Sequence, residues 1–160
     1  MAISEALYPK LMRNPRFVAV ETLGSVLTGE SLTEALPRCS EGLNDNDKRF
    51  VQHLLFGTLR QYDAIEDRVS QMLSKPIKPS EIEVKLVHIL ATYELTEMAT
   101  AEYAILNNWV NLLKEMDKPW ATGLTNAILR NIQRGKLPAA KGLAGKSNMP
   151  GWFAKRVETQ

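Results

Sequence analysis

The chain has 160 residues, 44% of them hydrophobic and 24% charged, with a formal charge of +2. That composition excludes a disordered chain and provides one domain with a real core. No apolar run approaches the ~20 residues a bilayer requires. Met1–Pro9 has no basic stretch followed by an apolar one, and Cys39 is alone, so the expectation is a cytoplasmic protein with no membrane segment and no internal disulfide.

The first helix is announced by Asn14-Pro15, an N-cap followed by proline at the first helical position. Phe17, Val20, Leu23 and Leu27 recur at three- and four-residue steps until Gly29 stops the helix. Ser31 with Glu34 makes a capping box for one or two turns before Pro37. Asn44–Asp47 opens a longer helix with Phe50, Val51, Leu54, Leu55 and Leu59 on its apolar face. Asp63 with Glu66 reads as a fresh capping pair, so the stretch divides near Tyr62. Ile65, Val69 and Met72 continue it to the breaks at Lys75-Pro76 and Lys78-Pro79. Ser80 with Glu83 is a capping box for a helix carrying Ile82, Leu86, Ile89, Leu90 and Tyr93. Thr100 caps the next, which buries either Leu106, Val110 and Leu113 or Ile105, Trp109 and Leu112. Asp117 caps the last, with Leu124, Ala127, Ile128 and Ile132 apolar. No segment sustains period two, so no strand is predicted. The reading is all-α, about seven helices in two clusters, 13–74 and 80–134. A linker follows, 135–160, with Gly, Pro and scattered Lys in its first part.

Charge is unevenly distributed along these elements. Lys118–Val157 holds eight Lys/Arg and no acid, whereas the rest of the chain holds twelve Lys/Arg against eighteen Asp/Glu. A basic stretch containing a helix with Asn, Gln and Arg points to a polyanion surface. Asn126, Arg130 and Gln133 fall at i, i+4 and i+7 on one helix side, and Arg134 extends it. Arginine offers a planar fork to phosphate, and asparagine reaches base edges and 2′-hydroxyls. The alternative is a solvated last turn whose cations favour the helix C-terminus. Arg60 either contacts RNA or pairs with a carboxylate such as Asp63. Gly57 inside that helix permits close packing or a bend. Lys10, Arg13 and Arg16 either strengthen an anion site at a helix N-terminus or form a basic end without a fixed partner. His53 and His88 read as partly buried histidines rather than ligands, and no pair has zinc spacing. Cys39 has no adjacent base. Trp109 is a core residue, Trp120 is open to either packing or base stacking, and Trp152 packs the linker on a neighbour.

In order along the chain stand Arg16, Gly29-Glu-Ser-Leu32, Asp45-Asn-Asp-Lys48, Phe56-Gly-Thr-Leu-Arg60, Tyr93-Glu-Leu95, Asn107-Asn-Trp-Val110, Asn126-Ala-Ile-Leu-Arg130 and Pro150-x-Trp-x-x-x-Arg156. This series resembles the N-terminal domain of the RsmB (Sun/Fmu) family of bacterial 16S rRNA (cytosine-5) methyltransferases, which is similar in fold to NusB. The resemblance implies two packed helical bundles and an RNA-binding domain over 13–134. It also implies a catalytic domain that binds S-adenosylmethionine and carries two working cysteines. This sequence has one cysteine, no Pro-Cys pair and no Gly-rich cofactor loop, so no cofactor, no metal and no methyl transfer are expected of it alone. The expected partner is 16S rRNA, and the expected RNA-binding residues are Arg13, Arg16, Arg60, Asn126, Arg130 and Arg134. Arg130 favours the methyltransferase branch, because NusB-type proteins usually lack arginine there. The alternatives are a stand-alone NusB-like transcription antitermination factor and a helical protein–protein adaptor.

Overall fold

Two helices are apolar on nearly every side, and the others pack around them. A computed structural model describes residues 7–141. These residues form eight α-helices and two 3-10 turns. The helices are α1 (Tyr8–Leu11), α2 (Pro15–Leu27), α3 (Leu32–Ser40), α4 (Asp45–Arg60), α5 (Tyr62–Ser70), α6 (Ile82–Glu97), α7 (Glu102–Glu115) and α8 (Thr122–Gln133). The all-α expectation holds, and α1 is the short helix that the sequence pattern omits.

The predicted stripe of α2 is too narrow. Val18, Ala19, Thr22 and Val26 are buried along with Phe17, Val20 and Leu23, because α3, α4, α6 and α7 all pack on this helix. Helix α6 is enclosed in the same way by α2, α4, α5, α7 and α8. Every residue from Leu86 to Glu94 is buried. An all-round apolar helix belongs in the middle of a domain. The two sequence clusters therefore meet on α6. One continuous core runs from Leu11 to Ile132.

Capping signals locate helices better than they locate ends. Asn14 Oδ1 accepts from Arg16 N at 3.0 Å, and Asn44 Oδ1 from Asp47 N at 2.8 Å, as expected. Ser31 caps α3 through Glu34 N at 3.3 Å, but the helix continues through Pro37 to Ser40. Proline removes one N–H there, while Ala35, Cys39 and Ser40 beyond and around it are buried. Asp63 lies inside α5, which only Gln61 separates from the end of α4. Ser80 sits in the 3-10 turn Pro79–Glu81, and neither it nor Thr100 caps a helix. Asp117 ends α7 instead of starting α8. Its φ is 60°, and Lys118 N bonds Leu113 O at 2.8 Å while Asp117 N bonds Lys114 O at 3.1 Å. This is a Schellman end in which aspartate takes the left-handed position that glycine usually holds. Ile82 and Ala127, expected inside, are exposed, and so is His53.

The first residues of the predicted linker are fastened to α5. Arg68 Nε donates to Pro138 O at 2.8 Å, Gln71 Nε2 to Ala139 O at 2.9 Å, and Lys141 N to Asp67 Oδ2 at 2.7 Å. Leu137 packs against the core. Among the described residues, no helix is long and apolar enough to cross a membrane.

Candidate nucleic-acid interface

Arg16 is one residue past the proline of α2, so its side chain leaves the first helical turn toward α6. It meets Glu94 in a two-point pair, Nε to Oε1 at 3.0 Å and Nη2 to Oε2 at 2.5 Å. The Glu94 side chain is 0% exposed and that of Arg16 12%. Trp109 Nε1 donates to Glu94 Oε1 at 2.8 Å. The guanidinium lies 4.9 Å from the Phe50 ring centroid and 5.8 Å from that of Trp109, within cation–π range. These contacts commit the Arg16 fork to Glu94 and the two aromatic rings, so the structure places this expected RNA contact against the core rather than on an open surface. Of the three cations expected at this end, Lys10 and Arg13 are exposed.

Helices α7 and α8 run antiparallel, since Gln133 Nε2 near the end of α8 donates to Glu102 Oε2 at the start of α7, 3.0 Å away. Each helix turns an apolar side to the core: Ile105, Trp109, Leu112 and Leu113 from α7, Ile128, Leu129 and Ile132 from α8. The opposite sides border an open cleft of about 310 Å³. Tyr103, Leu106, Asn107 and Val110 line it from α7, and Asn126, Arg130 and Gln133 from α8. Both sets follow helical spacing, so the shared face follows from the two registers. Tyr103 is 80% exposed. Asn126 is half-buried and Arg130 exposed. Arg130 makes no ion pair among the described residues. The cleft thus offers a phosphate fork, three side-chain amides and an aromatic face, with Glu102 at its rim.

The structure brings Asn126 and Arg130 together and leaves the rest of the expected set elsewhere. Arg134 is exposed at the C-cap of α8, beside Gly135 at φ 76°, and does not line the cleft. Arg60 is exposed at the end of α4, Arg13 between α1 and α2, and neither lines the cleft. Arg60 makes no ion pair with Asp63. Tyr103 and Asn107 belong to the cleft but escaped the sequence reading. Their signal was available: an aromatic and an amide at i and i+4, on the side of α7 opposite Ile105 and Trp109.

The acid-free run is less uniformly exposed than its composition suggests. Lys118 is buried and paired with Glu81. Arg130, Arg134, Lys136 and Lys141 are exposed. Pro150-x-Trp-x-x-x-Arg156 and most of the 135–160 linker lie outside the described residues. Cys39 is buried in α3, and Trp109 is fully buried as expected.

Comparison with known proteins agrees with this architecture. A model of the NusB family matches residues 13–134. The chain is 34% identical over 122 residues to the ribosomal RNA small subunit methyltransferase B of Pseudomonas putida, covering 76% of this chain and 28% of that protein. It is 32% identical over 153 residues to the protein of that name from Proteus mirabilis, covering 93% and 36%. The Vibrio cholerae protein of the same name is 29% identical over 150 residues, 91% and 35%. The chain therefore spans about a third of the length of these relatives. With a family match that spans α2 to α8 and an all-α structure that accords with it, the chain belongs to the NusB family.

Proposed function

We propose that this domain binds 16S ribosomal RNA and positions it for S-adenosylmethionine-dependent cytosine-C5 methylation by a separate catalytic domain of the same enzyme, in the cytoplasm. The observation that carries the RNA contact is the α7–α8 cleft, where Arg130 has no acidic partner among the described residues and shares the lining with Asn107, Asn126 and Gln133. Such a set grips phosphate by charge and reads sugars or base edges by amide hydrogen bonds. The methyltransferase assignment is supported by the relatives' names and by the share of their length left unmatched. Titration of the chain with 16S rRNA fragments at rising salt tests the reading. Neutralising Z phosphates gives a log–log slope of about −0.7Z to −0.9Z. Absence of binding at low salt overturns it.

A further inference from the structure

A second cleft, on the other side of α8, has the chemistry of a stacking site. It is walled by the segment Leu73–Lys78 and closed by Glu81, Trp120 and Leu124, with a volume of about 380 Å³. Trp120 is 52% exposed, although a large aromatic beside an apolar floor normally packs down on it. Proline-led 3-10 turns hold both sides: Pro119 fixes the backbone before Trp120, and Pro76 and Pro79 flank Ile77-Lys78. Lys75 and Lys78 are exposed on the rim, and neither makes an ion pair among the described residues. The one carboxylate of the lining, Glu81, is already matched by Lys118.

We propose that this cleft binds a nucleotide of single-stranded RNA, with its base stacked on Trp120 and the flanking phosphates held by Lys75 and Lys78. The inference rests on the RNA-binding reading above and adds a second contact site to it. An indole is a sequence-tolerant platform for an unpaired base, and a duplex offers no free base face. Lysines supply mobile point charges, which suit a flexible backbone. The prolines fix the backbone that carries both lysines along the wall of the cleft that Trp120 also lines. The matched Glu81–Lys118 pair leaves the rim with a net positive charge, complementary to the strand.

The test uses the full chain in a Trp152→Phe background, so that emission comes from buried Trp109 and exposed Trp120. A short oligouridylate carrying a fluorophore is titrated while anisotropy and tryptophan emission are both recorded. The expected result is quenching on binding. Trp120→Ala should abolish the quenching and weaken binding by about five- to a hundred-fold. Lys75→Ala with Lys78→Ala should lower the salt slope by about 1.4. The lysine variant alters only exposed side chains, so it decides the matter if Trp120→Ala fails to fold. Unchanged affinity in both variants without quenching, while Arg130→Ala weakens binding, overturns this site and leaves the α7–α8 reading standing. Quenching by an acidic peptide but not by the oligonucleotide also overturns it, in favour of a protein partner. Failure of every form to bind RNA removes both readings.

Discussion

The ring of Tyr93 on α6 lies directly over the backbone of Gly57 on α4. A β-carbon placed on Gly57 would stand 2.6 Å from Tyr93 Cε2 and nearer still to Cζ and Oη. Of the two roles open to Gly57, close packing is therefore the one it performs. Alanine would favour the helix by up to ~1 kcal/mol, but forcing the ring aside costs about 1–3 kcal/mol in a packed core. Gly57→Ala should lose stability in urea unfolding. In combination with Tyr93→Ala the penalty of Gly57→Ala should shrink, and additive losses would place the strain elsewhere.

Arg16 and Glu94 are a buried pair, so removing one partner strands the other charge. Glu94→Gln and Arg16→Met should each cost about 3–5 kcal/mol and lower the melting temperature sharply. RNA affinity of the folded fraction should stay near that of the unaltered chain. A selective loss of RNA affinity in a stably folded Arg16→Met variant would return Arg16 to the binding surface.

Arg130 should behave in the opposite manner. Because Arg130 is exposed and makes no ion pair among the described residues, Arg130→Ala should change stability by less than ~0.5 kcal/mol. It should weaken RNA binding and reduce the salt slope by about one contact. Arg130→Lys should recover only part, since the charge stays but the planar fork is lost. A sharp drop in melting temperature with unchanged affinity would make Arg130 structural.

His88 should make the fold sensitive to acid. Its Nε2 shares a hydrogen bond with Thr125 Oγ1 at 2.8 Å, and its Nδ1 has no partner among the described residues. Burial pushes its pKa down to about 4. The unfolded imidazole titrates near 6.5. Between those values the unfolded state binds the extra proton, so stability falls as pH falls and the loss is complete below about 4. The expected loss is about 3 kcal/mol. The cavity beside His88 also carries Glu66, Asp67 and Lys85. Glu66 pairs with Lys85, and Asp67 accepts from Lys141 N and Gln71. Glu21, raised by burial, works in the opposite direction. Comparing urea midpoints with His88→Gln from pH 7 to 4 isolates the imidazole. Parallel curves would exclude it.

The chain should neither bind S-adenosylmethionine nor transfer a methyl group on its own. Calorimetry checks this directly, and stoichiometric binding would contradict it.

Helical periodicity by itself determined the class of this protein. Phe17, Leu54, Ile89 and Ile128 mark helices in sequence because a period of 3.6 is a local property. The α8 face that carries Asn126, Arg130 and Gln133 was legible for the same reason. The fate of Arg16 was not. A cation near a helix start looks alike whether it faces water or a carboxylate seventy-eight positions away, and only packing α2 on α6 brings Glu94 to it. Tyr103 and Asn107 became part of a site when the chain turned back at Asp117, beyond the end of α7, and laid their face beside that of α8. Trp120 stood open between core and surface until the proline turns left it half exposed. Local preferences set which residues share a helix side, whereas long-range packing decided which of those sides face water, which face each other, and which charges are already taken.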